Sequence, residues 1–178
     1  KEGVSVTIAT TTRHNSTNNF TNTDGNLYGI VTGTGSKIWL DRNLGASQVA
    51  TSQTDAAAYG DLFQWGRLVD GHQIRTSGTT TTQATSDNPG HSNFIYTYSD
   101  WLTPKNDSLW QGVSGINNPC PSGWRLPTST EWNTERLSWS SNNSAGAFAS
   151  PLKLSLAGDR DDVDATLYYV SSYGIYWS

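Results

Sequence analysis

Residues 118–132, NPCPSGWRLPTSTEW, set the only cysteine of the chain, Cys120, between Pro119 and Pro121 and end in the strongest helix start in the sequence. Thr128 and Glu131 stand three apart, the spacing at which each side chain accepts from the other's backbone N–H. A short helix is therefore expected from about Ser129, continued by Trp132, Glu135, Arg136 and Leu137. The two prolines fix the backbone beside Cys120 and make it a rigid point.

Outward from this stretch, 178 residues make one domain the default, large enough to bury about two-thirds of its unfolded surface. Hydrophobic residues are only 34% of the chain, yet eight Trp and eight Tyr are present, so the core rests on a few large rings. Such a core suits short strands and long loops. Charged residues are 15% and the formal net charge is −4 with no basic stripe, which argues against nucleic acid as a partner. No apolar run is long enough to span a bilayer, so membrane insertion is not expected. The low charge, the absence of Met and the Thr/Asn-rich composition read as an extracellular or cell-surface protein, or one exposed on a virion.

Along the chain, Val4–Thr11 alternates as a strand and runs into a polar segment, so residues 1–23 are expected to form an amino-terminal strand with a Thr/Asn-rich extension. Residues 24–178 are expected to form the main domain. LYGIV and KIWL read as paired short strands joined through Thr32–Gly35. DAAAYGDLFQW, residues 55–65, carries Ala58, Leu62 and Trp65 at helical spacing behind an Asp55 cap, with Gly60 as a weak point. From about Gly71 to Asn118 periodicity is lost, as expected of a long loop region with isolated short strands. Residues 151–178 read as strand, acidic turn, strand, turn and the start of a further strand. The expectation is an α+β fold with short twisted antiparallel strands, two short helices and long loops.

DGNLYGIVTGTGSKIWLDRNL, YGDLFQWGR, CPSGWRLPTSTEW and LAGDRDDVDATLYYVSSYGIYWS occur in an order that resembles the Fibrobacter succinogenes major paralogous (FISUMP) domain, over roughly Asp24–Ser178. That family resembles the C-type-lectin-like fold, and WRLPTSTEW is similar to a segment of formylglycine-generating-enzyme-type domains. The resemblance implies a C-type-lectin-like domain whose last strands lie beyond Ser178. It also implies a disulfide partner for Cys120 outside this sequence, a role that a rigid cysteine suits. The alternative is that Cys120 is a buried small hydrophobe.

Catalytic signals are sparse. No His or cation flanks Cys120 to activate it, and the resembled oxidase chemistry uses a cysteine pair. His14, His72 and His91 lie in loop-like sequence and read as surface residues; no zinc spacing, GxSxG elbow or phosphate loop occurs. No cofactor is expected, with Ca²⁺ as the one candidate: Asp159, Asp161, Asp162 and Asp164 offer hard oxygen ligands at close spacing. A solvated acidic turn, partly neutralised by Arg160, is the preferred reading.

Aromatic residues carry the remaining signal. Trp39, Trp65, Trp124 and Trp132 read as core. Trp101 and Trp110 in loops, with Tyr169, Tyr173, Tyr176 and Trp177 near the end, are candidates for a platform that stacks on sugar rings or a partner protein. These features favour a non-enzymatic extracellular binding or display module, such as an adhesin-like surface domain or a phage tail-fibre-type domain, that meets a cell-surface glycan or protein. The alternative is a filament or surface-layer subunit that binds copies of itself by strand addition. A formylglycine-generating-type enzyme is a more distant third.

Overall fold

The computed structural model describes Ile8–Ala9, Phe20–Thr21 and residues 27–178. Most of the expected first strand and of the Thr/Asn-rich segment lies outside these residues. The short elements in chain order are β1 (Ile8–Ala9), β2 (Phe20–Thr21), β3 (Leu27–Tyr28), β4 (Ile30–Thr32) and β5 (Ile38–Leu40). They are followed by β6 (Thr79–Thr80), β7 (Phe94–Ile95), β8 (Trp124–Arg125), α1 (Ser129–Leu137), α2 (Ser144–Ala149), β9 (Asp159–Arg160) and β10 (Leu167–Tyr168). The fold is α+β with small sheets.

The central sheet has the order β4-β5-β1-β8 and is antiparallel throughout. The expected LYGIV/KIWL hairpin is present, with Val31 opposite Trp39 and the Gly33 N–H donating to the Lys37 carbonyl at 2.8 Å. The quoted stretch enters this sheet directly. Trp124 pairs with Ala9 and Arg125 with Ile8, and α1 begins at Ser129, four residues after Arg125.

The cap of α1 forms as its spacing predicts. Thr128 Oγ1 accepts from the Glu131 N–H at 3.3 Å, and Glu131 Oε2 accepts from the Thr128 N–H at 2.9 Å. Arg125 closes on the same carboxylate with two bonds of 2.8 Å, so strand, turn and helix share one ionic clamp. Those bonds hold the Glu131 carboxyl well below the usual carboxylate range.

The second expected helix is replaced. Asp55 caps a segment, but only a single 3₁₀ turn follows, over Ala56–Ala58. Gly60 ends it at φ +70°, and a Cβ there would collide with the Leu44 carbonyl oxygen, so the chain needs glycine and leaves the helical path. The second helix is instead α2, where the Asn143 side chain accepts from the Gly146 N–H at 3.0 Å.

Four clusters make the core of the described residues, the smallest being Tyr59, Leu62 and Ala157 with Tyr176 packed against them. Tyr28, Leu40, Leu44, Phe63, Trp110, Trp124 and Leu126 form the first, with Trp65, Cys120 and Trp177 packed against it. Trp39, Leu152 and Leu154 form the second, with Trp132 and Trp139 beside them, and Ile95, Trp101, Leu102 and Leu109 lie in the third. Each fully buried large side chain contributes about 1.5–3 kcal/mol, which lets a chain with few aliphatics hold together. All four tryptophans expected in the core are there, Trp39 and Trp124 fully and Trp65 and Trp132 in part.

The long region between Gly71 and Asn118 is ordered by polar side chains rather than by periodic strands. Its regular structure is the parallel pair β6–β7. Arg67, fully buried, donates to the carbonyls of His91 (2.7 Å) and Asn93 (2.9 Å), while Gln64 donates to the Ile95 carbonyl and accepts from its N–H. Asn117 donates to the carbonyls of Gly66 and Asp87. Loop backbone is thus satisfied by a few interior side chains, as buried polar groups require.

Candidate functional site

A groove of about 650 Å³ opens between α1, α2, the Leu154–Leu156 segment and the carboxy-terminal stretch from Ser172. Its first wall is the face of α1 that carries Trp132, Asn133 and Arg136. Trp132 is fixed there by tilted ring contacts with Trp39 at 5.1 Å and Tyr176 at 5.5 Å. Trp139, just after the helix, and Ala147 of α2 continue the wall.

The opposite wall is the end of the chain, pinned by hydrogen bonds from its rings. The Trp132 indole donates to the Trp177 carbonyl at 2.8 Å, and the Trp177 indole donates to the Phe63 carbonyl at 3.0 Å. Tyr176 Oη donates to the Ser155 carbonyl at 2.7 Å, and burial pushes its phenol up to about 12, so it stays neutral. Gly174 lies between them; a Cβ at that position would come within 2.8 Å of both the Ser155 carbonyl oxygen and the Tyr176 ring.

At the rim, Tyr168, Tyr169 and Tyr173 form a row of exposed rings, with centroids 6.1 Å and 5.2 Å apart. Tyr173 is 61% exposed and belongs to both the row and the groove. Tyr169 holds its backbone at φ +56°, a conformation unfavourable for a bulky residue, in the turn that presents the rings.

Of the residues expected to form an aromatic platform, Tyr169 and Tyr173 are on the surface, and Tyr176 and Trp177 are half-buried ties. Trp101 and Trp110 are placed differently from the platform expectation. Both are buried, and their indoles donate to the Trp65 carbonyl at 2.6 Å and the Arg67 carbonyl at 3.1 Å. Neither ring offers an open face, because loop position in sequence does not determine which way a large apolar ring turns.

The four aspartates do not form a cluster. Asp159 is fully buried, Asp161 Oδ1 accepts from the Val163 N–H at 2.7 Å, and Asp164 accepts from the Thr166 N–H and the Tyr168 hydroxyl. Among the described residues no three His, Cys, Asp or Glu side chains are arranged to hold a metal ion. Arg160 ties the turn to a neighbouring loop: its Nε donates to the Ala165 carbonyl at 3.1 Å, its other nitrogens donate to Ser77, and the guanidinium lies over the Phe94 ring at 4.4 Å. The Asp161 and Asp164 carboxylates serve the turn's own backbone, the usual role of Asp in such segments. Chelation with EDTA is therefore expected to leave the melting temperature within about a degree of its value in millimolar calcium; a larger calcium-dependent rise would assign a cation to this turn.

Cys120 packs beside the first core cluster as a free thiol, and its N–H donates to Asn118 Oδ1. Burial pushes its pKa well up, against a smaller opposing effect from Arg125, so the thiolate needed for nucleophilic chemistry is disfavoured. His72, expected on the surface, is fully buried: Nδ1 meets Asp70 Oδ1 at 2.7 Å and Nε2 accepts from the Gln64 N–H at 3.1 Å. Both ring nitrogens are occupied by the fold. This Asp–His pair resembles a catalytic arrangement in distance only.

Sequence reasoning missed Trp139, Arg136 as a groove residue, and the α2 wall. The Asn143 cap before SAGAFA was the available signal for α2. Among the described residues no helix is long and apolar enough to cross a membrane. No family model matches the chain, and neither a curated protein nor a solved structure does so.

Proposed function

We propose that this chain is a non-enzymatic extracellular binding or display module of the FISUMP, C-type-lectin-like kind, in which a rigid aromatic core holds loops and a groove for recognition. The observation that carries the reading is the groove itself, walled by pinned rings and continuous at Tyr173 with the exposed tyrosine row. Exposed aromatics beside a concave site are typical of recognition surfaces. No carboxylate, imidazole or thiol side chain lines the groove, which supports binding rather than acid–base or nucleophilic chemistry.

The test is binding of labelled protein to cells and to an array of surface glycans. Saturable binding is expected, weakened about tenfold or more when Tyr169 and Tyr173 are both replaced by alanine. Concentration-dependent polymers without any ligand would instead establish assembly by strand addition. Copper-dependent oxidation of a peptide cysteine would overturn the non-enzymatic reading.

A further inference from the structure

The groove's lining is chemically selective. Four rings, Trp132, Trp139, Tyr173 and Tyr176, face neutral polar groups that include Asn133, Asn142 and several serines. Arg136 is the one charged side chain among its lining residues, although the chain carries 15 acidic and only 11 basic residues. With one guanidinium and no carboxylate among its lining side chains, the groove offers an anion a pairing group.

Arg136 is also available. Its Nη2 donates to Asn133 Oδ1 at 2.7 Å, three residues earlier on the same face of α1, and both side chains line the groove. Among the described residues no carboxylate forms an ion pair with it, whereas Arg42, Arg67 and Arg125 are each paired with one. Aliphatic lining is confined to Ala147, Leu154 and Leu156, too little to anchor the apolar side chains of a peptide. Ring faces suit the C–H face of a pyranose, and neutral amides and hydroxyls match its hydroxyl groups.

We propose that the groove binds an acidic saccharide, with a sugar ring against Tyr173 and its carboxylate or sulfate on Arg136. This rests on the reading of the chain as a binding module and narrows its ligand. Arginine is suited to the task, because its planar fork pairs with two oxygens of such a group at once.

The experiment titrates the protein by calorimetry with three hexasaccharides: an oligogalacturonate, a heparin-derived sulfated hexamer and a neutral galactose oligomer. At least one acidic probe is expected to bind about tenfold or more tightly than the neutral one, with affinity falling as salt rises. Arg136→Gln should remove that preference, and Tyr173→Ala should weaken what remains. Both side chains are at the surface, so each variant should fold, checked by its unchanged melting curve. Equal affinity for the neutral oligomer, acidic binding unchanged in Arg136→Gln, or no acidic binding at millimolar concentration would each overturn the proposal. Cell binding that persists unaltered in Arg136→Gln would overturn this inference while leaving the module reading intact; loss of cell and saccharide binding by the unmodified protein would remove both.

Discussion

Arg67→Ala should lower the melting temperature by roughly 6–20 °C, the effect of about 3–5 kcal/mol on a chain of this size. The side chain is completely buried, and its guanidinium reaches Asp70 at 2.9 Å, Gln64 at 2.8 Å and the carbonyls of His91 and Asn93. It also lies 5.8 Å from the Trp101 ring, while its own carbonyl accepts from the Trp110 indole. Truncation takes this donor from the Asp70 carboxylate, from Gln64 Oε1 and from two part-buried carbonyls, and each such group carries a desolvation penalty to the extent that it is shielded from water. With total stabilities of about 5–15 kcal/mol, that loss is a large fraction of what holds the domain together. Arg67→Lys keeps the charge and loses the fork, so its melting temperature should fall between the other two. An alanine variant that melts within a degree or two of the unmodified protein would mean that the loops are held by something other than this residue.

The dependence on Arg67 explains what sequence could and could not disclose. Thr128 and Glu131 act within three residues, so their cap was legible from spacing alone, and the IWL strand was legible from its apolar pattern and the glycines before it. Arg67 satisfies partners up to 26 residues away, and nothing in its local sequence distinguishes it from a solvated arginine. For the same reason the region around Trp101 and Trp110 read as open loop, although it closes over a core. At residues 55–65 the helical spacing was real, but Gly60 met the Leu44 backbone, a contact that arises only on packing. The groove shows the same division. Tyr169 and Tyr173 were visible as unabsorbed aromatics, whereas Arg136 and Trp139 acquire their place only when α1 is set against the end of the chain.

Acid should destabilise the protein well before its carboxylates titrate, and His72 is the reason. Burial lowers its pKa from 6.5 to about 4, helped by the positive charges of Arg67 and Arg160 and opposed by the bond and charge of Asp70. Geometry dictates the same sign, because Nε2 accepts from the Gln64 N–H, which fixes the neutral tautomer with the proton on Nδ1 facing Asp70. A second proton would set two N–H groups against each other. The folded pKa is thus depressed, so the contribution is fully present above 6.5 and is lost as pH falls towards 4, the window in which the unfolded chain holds the extra proton. Integrated over that window, the loss is about 3 kcal/mol. Below it, protonation of Glu131 adds a second loss, since the bonds from Arg125 hold that carboxyl below its usual range and its stabilisation disappears as pH falls through it. Urea unfolding at pH 8, 6.5, 5 and 4 measures the first phase, and His72→Asn isolates it: the variant should be weaker at pH 8 but should lose little more between 6.5 and 4. An equal slope in both proteins would show that His72 is not the group that titrates, and that the buried Asp70–His72–Gln64 chain is not what couples this fold to acid.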